Sequence, residues 1–267
     1  MDVDKQVTDH YGSPDLAATI LAAVAAGGGD TTRLAPQDLA PIDHLHAGFA
    51  AATAHVLDEL EVDAGTRLLD VGCGIGGGCR MAAARGARTV GVDLTAEFIR
   101  SASILTELTG LAARATFLTT SASAIDLPDG SFDTAMMLHV GMNLPVKVAV
   151  FTEVRRLLAP GGRFAVYDQM RTGAGQLTYP LPWAVDESTS FVSTPGDYRA
   201  DLETAGFRIE SSRERTREQA GAPSAPAGNT LSPAVIFGPD FVTRIENNIA
   251  ATEAGLLGAH LIIAVAR

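Results

Sequence analysis

The fold of this chain is decided by a stretch in which an apolar run leads into a glycine-rich loop: Leu68-Leu69-Asp70-Val71-Gly72-Cys73-Gly74-Ile75-Gly76-Gly77-Gly78. Its glycines satisfy the pattern G-x-G-x-x-G, which is typical of a strand, a tight loop and a helix that hold a nucleotide. Asp93 follows 21 residues after Gly72, at the end of the next apolar run, where a carboxylate can hold ribose hydroxyls. Nicotinamide, flavin and other nucleoside ligands all fit the pattern at this point.

Asp70 separates these alternatives because its carboxylate stands at the strand end, two residues before the first glycine. A carboxylate there repels a pyrophosphate and attracts an ammonium or a sulfonium group. The stretch therefore favours a cationic nucleoside without phosphate, which is the character of S-adenosylmethionine. A dinucleotide-dependent oxidoreductase stays open as an alternative.

Beyond residue 61, short apolar runs alternate with helical segments, the pattern of a parallel sheet wrapped by helices. The predicted strands are 67–71, 89–92, 115–119, 134–138, 164–167, 207–214 and 260–266. The predicted helices among them are 78–85, 96–109, 146–158, 195–206 and 240–254. Pro160, Gly161 and Gly162 are expected to break the chain before the fifth strand.

Two further helices, 16–26 and 43–60, are predicted ahead of the sheet, so that residues 1–61 form an N-terminal helical cap. Residues 62–267 are predicted to be one domain. Within it, about 169–195 form a long irregular insertion rich in Gly, Pro and aromatic residues, which is typical of a substrate lid. Residues 221–228 are predicted to be a surface linker.

The glycine loop and three further segments resemble the class I S-adenosylmethionine-dependent methyltransferases. These segments are Leu127-Pro128-Asp129-Gly130-Ser131-Phe132-Asp133 before the fourth strand, Leu157-Leu158-Ala159-Pro160-Gly161-Gly162-Arg163 before the fifth, and Gly91-Val92-Asp93-Leu94 at the end of the second. The resemblance covers about residues 43–207. It is strongest to the small-molecule branch around the ubiquinone/menaquinone and sarcosine/dimethylglycine methyltransferases, through His139-Val140-Gly141-Met142-Asn143 and Pro180-Leu181-Pro182-Trp183.

The resemblance implies an α/β fold, with a Rossmann-like, seven-stranded, mostly parallel sheet, helices on both faces and an antiparallel last strand. It also implies S-adenosyl-L-methionine as cofactor, S-adenosyl-L-homocysteine as product, and a cofactor site across the carboxyl ends of the first strands. The implied cofactor-binding residues are Tyr11, Asp70, Gly72, Cys73, Gly74, Asp93, Leu94, Ser121, Ala122 and Leu138. Ser121 and Ala122 stand where relatives commonly carry an Asp that contacts the adenine amino group, so this contact is expected to be uncharged.

Methyl transfer is an in-line displacement at a carbon that the sulfonium already activates, so the protein mainly aligns the reactants and excludes water. His139, just past the fourth strand, is the predicted catalytic base, with a loop-capping role as the alternative. His46, Asn143 and Trp183 are the predicted acceptor-binding residues. His44 is expected at the surface, and no metal site is predicted.

The acidic composition disfavours nucleic acid and membranes as partners. Twenty Lys and Arg against 31 Asp and Glu give a formal net charge of -11, which repels phosphate backbones and anionic lipid surfaces. The sequence shows neither a signal-peptide pattern nor an apolar run of about 20 residues, so a cytoplasmic location is expected. The oligomeric state is left without a prediction.

The sequence therefore predicts a methyltransferase that acts on O, N or C of a small-molecule metabolite or natural-product intermediate. The same fold could instead catalyse a cyclisation or rearrangement without methyl transfer, because a fold does not fix a function.

Overall fold

Seven strands form one sheet in this computed structural model, which describes residues 15–216, 231–238 and 240–267. The strands are β1 (Arg67–Val71), β2 (Arg88–Asp93), β3 (Ala115–Thr119), β4 (Phe132–Leu138), β5 (Leu158–Arg171), β6 (Phe207–Glu214) and β7 (Leu257–Ala266). Their order in the sheet is β3-β2-β1-β4-β5-β7-β6. The first five strands run parallel, and β7 runs antiparallel to both β5 and β6. The predicted fold class is confirmed.

The strand order reverses beside β1, and this reversal creates a crevice. The chain builds β2 and β3 on one side of β1 and then returns to place β4 on the other side. In open α/β sheets, ligands bind in the crevice at such a reversal, outside the carboxyl ends of the strands. Asp70, Asp93 and Leu138 lie at this end of β1, β2 and β4, so the topology gathers three predicted site residues at one edge.

Helices cover both faces of the sheet. They are α1 (Leu16–Ala26), α2 (Ala40–Asp43), α3 (Phe49–Glu59), α4 (Gly77–Ala84), α5 (Ala96–Leu108), α6 (Lys147–Leu157), α7 (Pro195–Thr204), α8 (Ala234–Phe237) and α9 (Phe241–Glu253). Leu69 and Val71 of β1 pack with α6 and α7, whereas Leu68 packs on the other face with α3 and α4. This alternation explains the continuous apolar run of β1, because a strand covered on both faces needs apolar residues throughout. Over the described ranges, no helix combines the length and apolar character needed to cross a membrane.

The predicted helix 43–60 is wrong at its start, because α3 begins only at Phe49 and Asp43 is the last residue of α2. Residues 44–48 form an irregular turn between these two helices. Gly48 precedes α3 with a φ of 77°, a left-handed conformation that glycine adopts readily and that ends helical continuity. A Cβ at Gly48 would lie only 2.8 Å from Cβ of Ala52, which also favours glycine at this turn.

The expected chain break at Pro160, Gly161 and Gly162 is also wrong, because β5 already begins at Leu158. The register between β4 and β5 shifts there: Phe132 pairs with Leu158, and the next pair is Thr134 with Arg163. Residues 159–162 are therefore accommodated as an irregularity inside the strand pairing. Such bulges absorb extra residues without ending a strand.

The loop between β5 and α7 is packed against its surroundings by Trp183. The indole is buried in a cluster with Met142, Leu181 and Leu257. Its Nε1 donates a hydrogen bond to Oγ of Ser190 at 3.0 Å. The structure therefore places the predicted acceptor-binding Trp183 in the packing of this loop and not on the wall of the cavity described below.

Candidate active site

A cavity of about 360 Å³ lies at the carboxyl ends of β1, β2 and β4. This volume falls in the range of small-molecule binding sites. Twelve of the predicted site residues line it: Asp70, Gly72, Cys73, Gly74, Asp93, Leu94, Ser121, Ala122, Leu138, His139, His46 and Asn143. The predicted cofactor residue Tyr11 and the predicted linker 221–228 lie outside the described residues.

The glycine loop after β1 is packed so closely that two of its positions admit no side chain. A Cβ on Gly72, whose φ is 72°, would collide with Val140, and a Cβ on Gly77 would collide with the backbone carbonyl of Asp43. The N–H of Gly72 donates to the carbonyl of Val92 at 2.8 Å. The loop is thus held between β2, the turn after β4 and helix α2.

Asp93 braces the glycine loop from the end of β2. Its Oδ2 accepts a hydrogen bond from the N–H of Gly74 at 3.0 Å, and its Oδ1 accepts one from the N–H of Thr95 at 2.9 Å. Burial raises the pKa of this carboxyl, while the backbone donors of Thr95 and Gly74 oppose the rise. Each carboxylate oxygen keeps acceptor capacity, so Asp93 can hold the loop and still accept hydrogen bonds from two ribose hydroxyls.

Asp70 is a buried carboxylate whose negative charge is stabilised by few hydrogen bonds. The thiol of Cys79 donates a weak hydrogen bond to its Oδ2 at 3.4 Å. Burial raises the pKa of Asp70 to about 7; the hydrogen bond from Cys79 opposes this rise, and the nearby charge of Asp93 adds to it. A ligand cation would stabilise the ionised form, and the ammonium group of an amino acid has the required charge and donors.

The two cysteines beside Asp70 are free, buried thiols. Burial raises the pKa of both Cys73 and Cys79 well above the usual range; the carboxylate of Asp70 adds to the rise in both, and Cys79 and Asp93 add to it in Cys73. Because the thiolate is the reactive form, these two cysteines are poor nucleophiles. They act as small packing residues of the loop and of α4.

His139 lies in a turn just beyond β4 and has a left-handed backbone, with a φ of 56°. Its N–H donates to the carbonyl of Tyr167 at 2.8 Å. Burial lowers the pKa of the imidazole well below its usual value, and His46 adds to the effect. Among the residues that the structure describes, none is a hydrogen-bond partner of its buried Nε2. His139 is therefore neutral at pH 7.

Asp168 of β5, which is not among the residues predicted from the sequence, holds the turn after β4 in place. Its Oδ1 accepts from the N–H of Val140 at 2.8 Å, and its Oδ2 accepts from the N–H of Gly141 at 3.1 Å and from the hydroxyl of Tyr198 at 3.0 Å. Burial raises the pKa of Asp168 to about 6, against the lowering effect of these donors. The strand-end argument used for Asp70 could have found it.

His44 and His46 line the side of the cavity next to the N-terminal helices. Only 6% of His44 is exposed, so the expectation of a surface position is wrong. Burial lowers the pKa of each imidazole to about 4. The ring centroid of His46 lies 5.6 Å from that of His139 and 6.0 Å from that of Tyr167. In the part of the chain with described coordinates, no group of three or more His, Cys, Asp or Glu residues could hold a metal ion.

A buried ion pair between Asp43 and Arg80 fastens α2 to α4, and the sequence analysis did not find it. The two side chains are 5% and 1% exposed. Arg80 also donates to the carbonyl of Ile75 at 2.8 Å and to the hydroxyl of Thr106 at 3.1 Å. The partners of the pair are 37 residues apart, so no local pattern signals their contact.

Helices from both ends of the chain cover the cavity. Ile20 of α1, Phe98 of α5 and Ile236 of α8 share one hydrophobic cluster. Phe98 and Ile236 also line the cavity itself. Helices α1 and α8 therefore contribute to one apolar cluster beside the cavity, and α8 was not predicted from the sequence.

Residues 69–166 match the family model described as a methyltransferase domain. This segment contains most of β1, the glycine loop, β2, β3, β4 and most of β5. Residues 69–166 thus match a methyltransferase domain, and the seven-stranded sheet with its antiparallel last strand agrees with the fold of class I S-adenosylmethionine-dependent methyltransferases that the resemblance in sequence implies. The cofactor of this family is S-adenosylmethionine.

Known proteins resemble the chain in sequence and in fold. A sterol 24-C-methyltransferase of Yarrowia lipolytica is 28% identical over 189 residues, which are 66% of this chain and 49% of that protein. The cyclase SpnF has a TM-score of 0.68 and 22% identity, covering 98% of this chain and 96% of its own. The geranyl diphosphate C-methyltransferase of Streptomyces coelicolor A3(2) has a TM-score of 0.68 and 16% identity, covering 100% and 98%. The chain thus spans about half the length of the sterol methyltransferase that it matches.

Proposed function

We propose that the protein transfers a methyl group from S-adenosylmethionine, by direct displacement, to an O, N or C atom of a small molecule. The observation that carries this proposal is the poorly compensated carboxylate of Asp70 beside the glycine loop, in a chain that matches a methyltransferase domain. The ammonium group of the cofactor would compensate that charge, whereas the pyrophosphate of a dinucleotide would be repelled. The oxidoreductase alternative is therefore the weaker one.

Other cavity residues suit the remaining parts of the cofactor. The free lone pairs of Asp93 are available to the ribose hydroxyls, and Leu94 lies next to it for packing against adenine. The hydroxyl of Ser121 lies 3.0 Å from that of Ser123, so this hydroxyl pair offers an uncharged adenine contact. We retain Tyr11 as a proposed cofactor residue on the resemblance alone.

S-adenosylmethionine supplies a methyl carbon that its sulfonium group activates for displacement. The contribution of the chain is to align the two reactants, to exclude water and, for a hydroxyl or amine acceptor, to take up the proton that the acceptor loses. His139 is the proposed base, because its imidazole is neutral, the residue lines the cavity, and its Nε2 has no hydrogen-bond partner among the described residues. Asn143 and His46, on the same cavity, are the proposed acceptor contacts.

The acceptor is proposed to be a largely apolar small molecule. One wall of the cavity, formed by the start of α6 and the residues before it, is apolar: Leu144, Pro145, Val146, Ala149 and Val150. Walls of this kind bury the body of a small ligand, while a few polar groups fix its orientation. The net charge of -11 supports a small molecule over a nucleic acid. We also propose a cytoplasmic location, a compartment in which free thiols such as Cys73 and Cys79 persist.

A second candidate function is a cyclisation or rearrangement without methyl transfer. It is favoured by the likeness to the cyclase SpnF over nearly the whole chain. In that case the same cavity would fold and enclose an apolar substrate, and the cofactor would be retained without being consumed.

Two measurements test these functions. Thermal unfolding is followed with S-adenosylmethionine or with NADH; a ligand at one hundred times its Kd stabilises the protein by about 2.7 kcal/mol. We expect stabilisation by the first ligand, and stabilisation by NADH alone would contradict the proposal. Apolar acceptors that carry a hydroxyl, an amine or a nucleophilic carbon are then incubated with S-adenosylmethionine, and S-adenosylhomocysteine is measured by mass spectrometry. Acceptor turnover without this product would favour the second candidate.

A further inference from the structure

The hydroxyl of Thr53 lies between two imidazoles at the wall of the cavity. Thr53 is a fully buried residue of α3. Its Oγ1 is 3.0 Å from Nδ1 of His44 and 2.8 Å from Nε2 of His46. Both histidines belong to the turn between α2 and α3 and line the cavity. The three side chains therefore form one hydrogen-bonded unit.

The backbone determines where the protons of this unit lie. Nδ1 of His46 is 3.2 Å from the carbonyl oxygen of Ala47, and a carbonyl only accepts, so this nitrogen carries the proton and donates. Burial keeps both imidazoles neutral, so Nε2 of His46 is bare and accepts the hydrogen bond from the Thr53 hydroxyl. The only proton of that hydroxyl is then used, and its oxygen must accept from an N–H at Nδ1 of His44. Nε2 of His44 is left as a bare acceptor.

Burial, with a smaller effect of one neighbouring charge, keeps His44 neutral. The guanidinium of Arg80 disfavours a second positive charge on this imidazole, in addition to the effect of burial. The adjacent carboxylate of Asp43 is engaged by Arg80 through an ion pair, so it is not free to stabilise an imidazolium. His46 has both nitrogens in use. Of these two imidazoles, His44 is therefore the one that can offer a lone pair to a ligand.

We propose that His44 is a ligand-contacting residue whose Nε2 accepts a hydrogen bond from a hydroxyl or amine of the methyl acceptor, with Thr53 and His46 as positioning residues that fix this tautomer. The assignment to the acceptor rests on the proposed methyltransferase function, whereas the tautomers do not. The acceptor is then an apolar molecule that carries a hydrogen-bond donor. In this arrangement His44, and not the predicted His46, makes the polar contact with the acceptor. The ring of His46 then makes only apolar contact.

Imidazole nitrogen NMR of the ¹⁵N-labelled full chain tests the tautomers directly, because protonated and bare ring nitrogens have well separated shifts. His44→Gln and His46→Gln variants assign the signals. We expect both His44 and His46 to carry their proton at Nδ1. Thr53→Ser keeps a hydroxyl and preserves this pattern, whereas Thr53→Val, of nearly equal shape, changes the proton position of His44 only, because the Ala47 carbonyl still fixes that of His46. A proton at Nε2 of His44 in the unaltered chain, or a pattern unchanged by Thr53→Val, would overturn the proposal whether or not the protein transfers methyl groups.

Two small probes test the ligand contact, each added in the presence of S-adenosylhomocysteine. Phenol carries a donor hydroxyl, and anisole has the same ring with its oxygen methylated. We expect phenol to move the Nε2 signal of His44 and anisole to leave it in place. Thr53→Val should weaken phenol binding about fivefold, the equivalent of one ordinary hydrogen bond, and Thr53→Ser should retain it. A signal that moves with S-adenosylhomocysteine alone, or equally with both probes, would refute the assignment to the acceptor.

Discussion

At the residue scale, the proposed role of Asp70 in cofactor binding predicts a cofactor affinity that depends on pH near neutrality. Its pKa of about 7 means that the carboxyl is mostly protonated at pH 6 and mostly ionised at pH 8. Only the ionised form pairs with the ammonium group of S-adenosylhomocysteine. The Kd of this ligand should therefore rise about tenfold as the pH falls from 8 to 6, as measured by isothermal titration calorimetry.

Asp70→Asn separates this effect from other titrations. The amide is nearly isosteric but carries no charge, so the variant should bind weakly at both pH values and lose most of the pH dependence. The imidazoles of His44 and His46 have pKa values of about 4 and stay neutral across this range. An unchanged pH profile in the variant would show that another group, such as Asp168 with its pKa of about 6, controls binding.

His139 occupies a backbone conformation that suits glycine better than a residue with a side chain, since its φ is 56°. The left-handed region costs most residues roughly 1 kcal/mol relative to glycine. His139→Gly should therefore be more stable than His139→Ala by about this amount in urea unfolding, although both lack the proposed base. Equal stabilities would mean that the turn relaxes to another conformation when the imidazole is removed. A strained backbone at a residue that lines a cavity is consistent with selection for the side chain of that residue.

At the element scale, the attachment of α2 to α4 depends on the pair of Asp43 and Arg80. Arg80→Met leaves a buried carboxylate without its partner and should lower the free energy of unfolding by about 3–5 kcal/mol. Combining it with Asp43→Leu removes both charges, and we expect the double variant to be more stable than the sum of the two single losses predicts. Chemical denaturation of the four proteins gives the coupling energy. A strictly additive result would show that the ion pair itself contributes nothing.

Elements were predictable from sequence where the determining pattern is local. The run from Leu68 to Gly78 places a strand, a loop and a helix in succession. The cap of α7 is equally local, because Thr194 and Asp197 are three residues apart and bond each other. The start of α3 directly after Gly48 was not predicted, since a single glycine is often tolerated inside a helix. The early start of β5 was missed because Pro160 and its glycines end most strands and only the partner strand shows that they form a bulge here.

The residues of the candidate site also differ in whether the sequence alone could place them. Residues at strand ends, such as Asp70, Asp93 and His139, could be placed because the topology of a parallel sheet brings strand ends together. The network of His44, Thr53 and His46 could not, because it depends on the turn that α2 and α3 create. The inward packing of Trp183 was equally hidden, since aromatic residues serve pockets and loop packing alike.

At the scale of the whole molecule, α1 and α8 are far apart in the sequence but contribute to one apolar cluster that covers the cavity. Ile20→Ala should lower the free energy of unfolding by about 2–5 kcal/mol, and it should also reduce the stabilisation by S-adenosylhomocysteine, because Ile20 shares a cluster with the cavity residues Phe98 and Ile236. Thermal unfolding with and without the ligand measures both effects. The matched control is Val242→Ala on α9, since Val242 is 59% exposed and should affect neither quantity. A loss of stability with full retention of ligand stabilisation would mean that the cover serves folding alone.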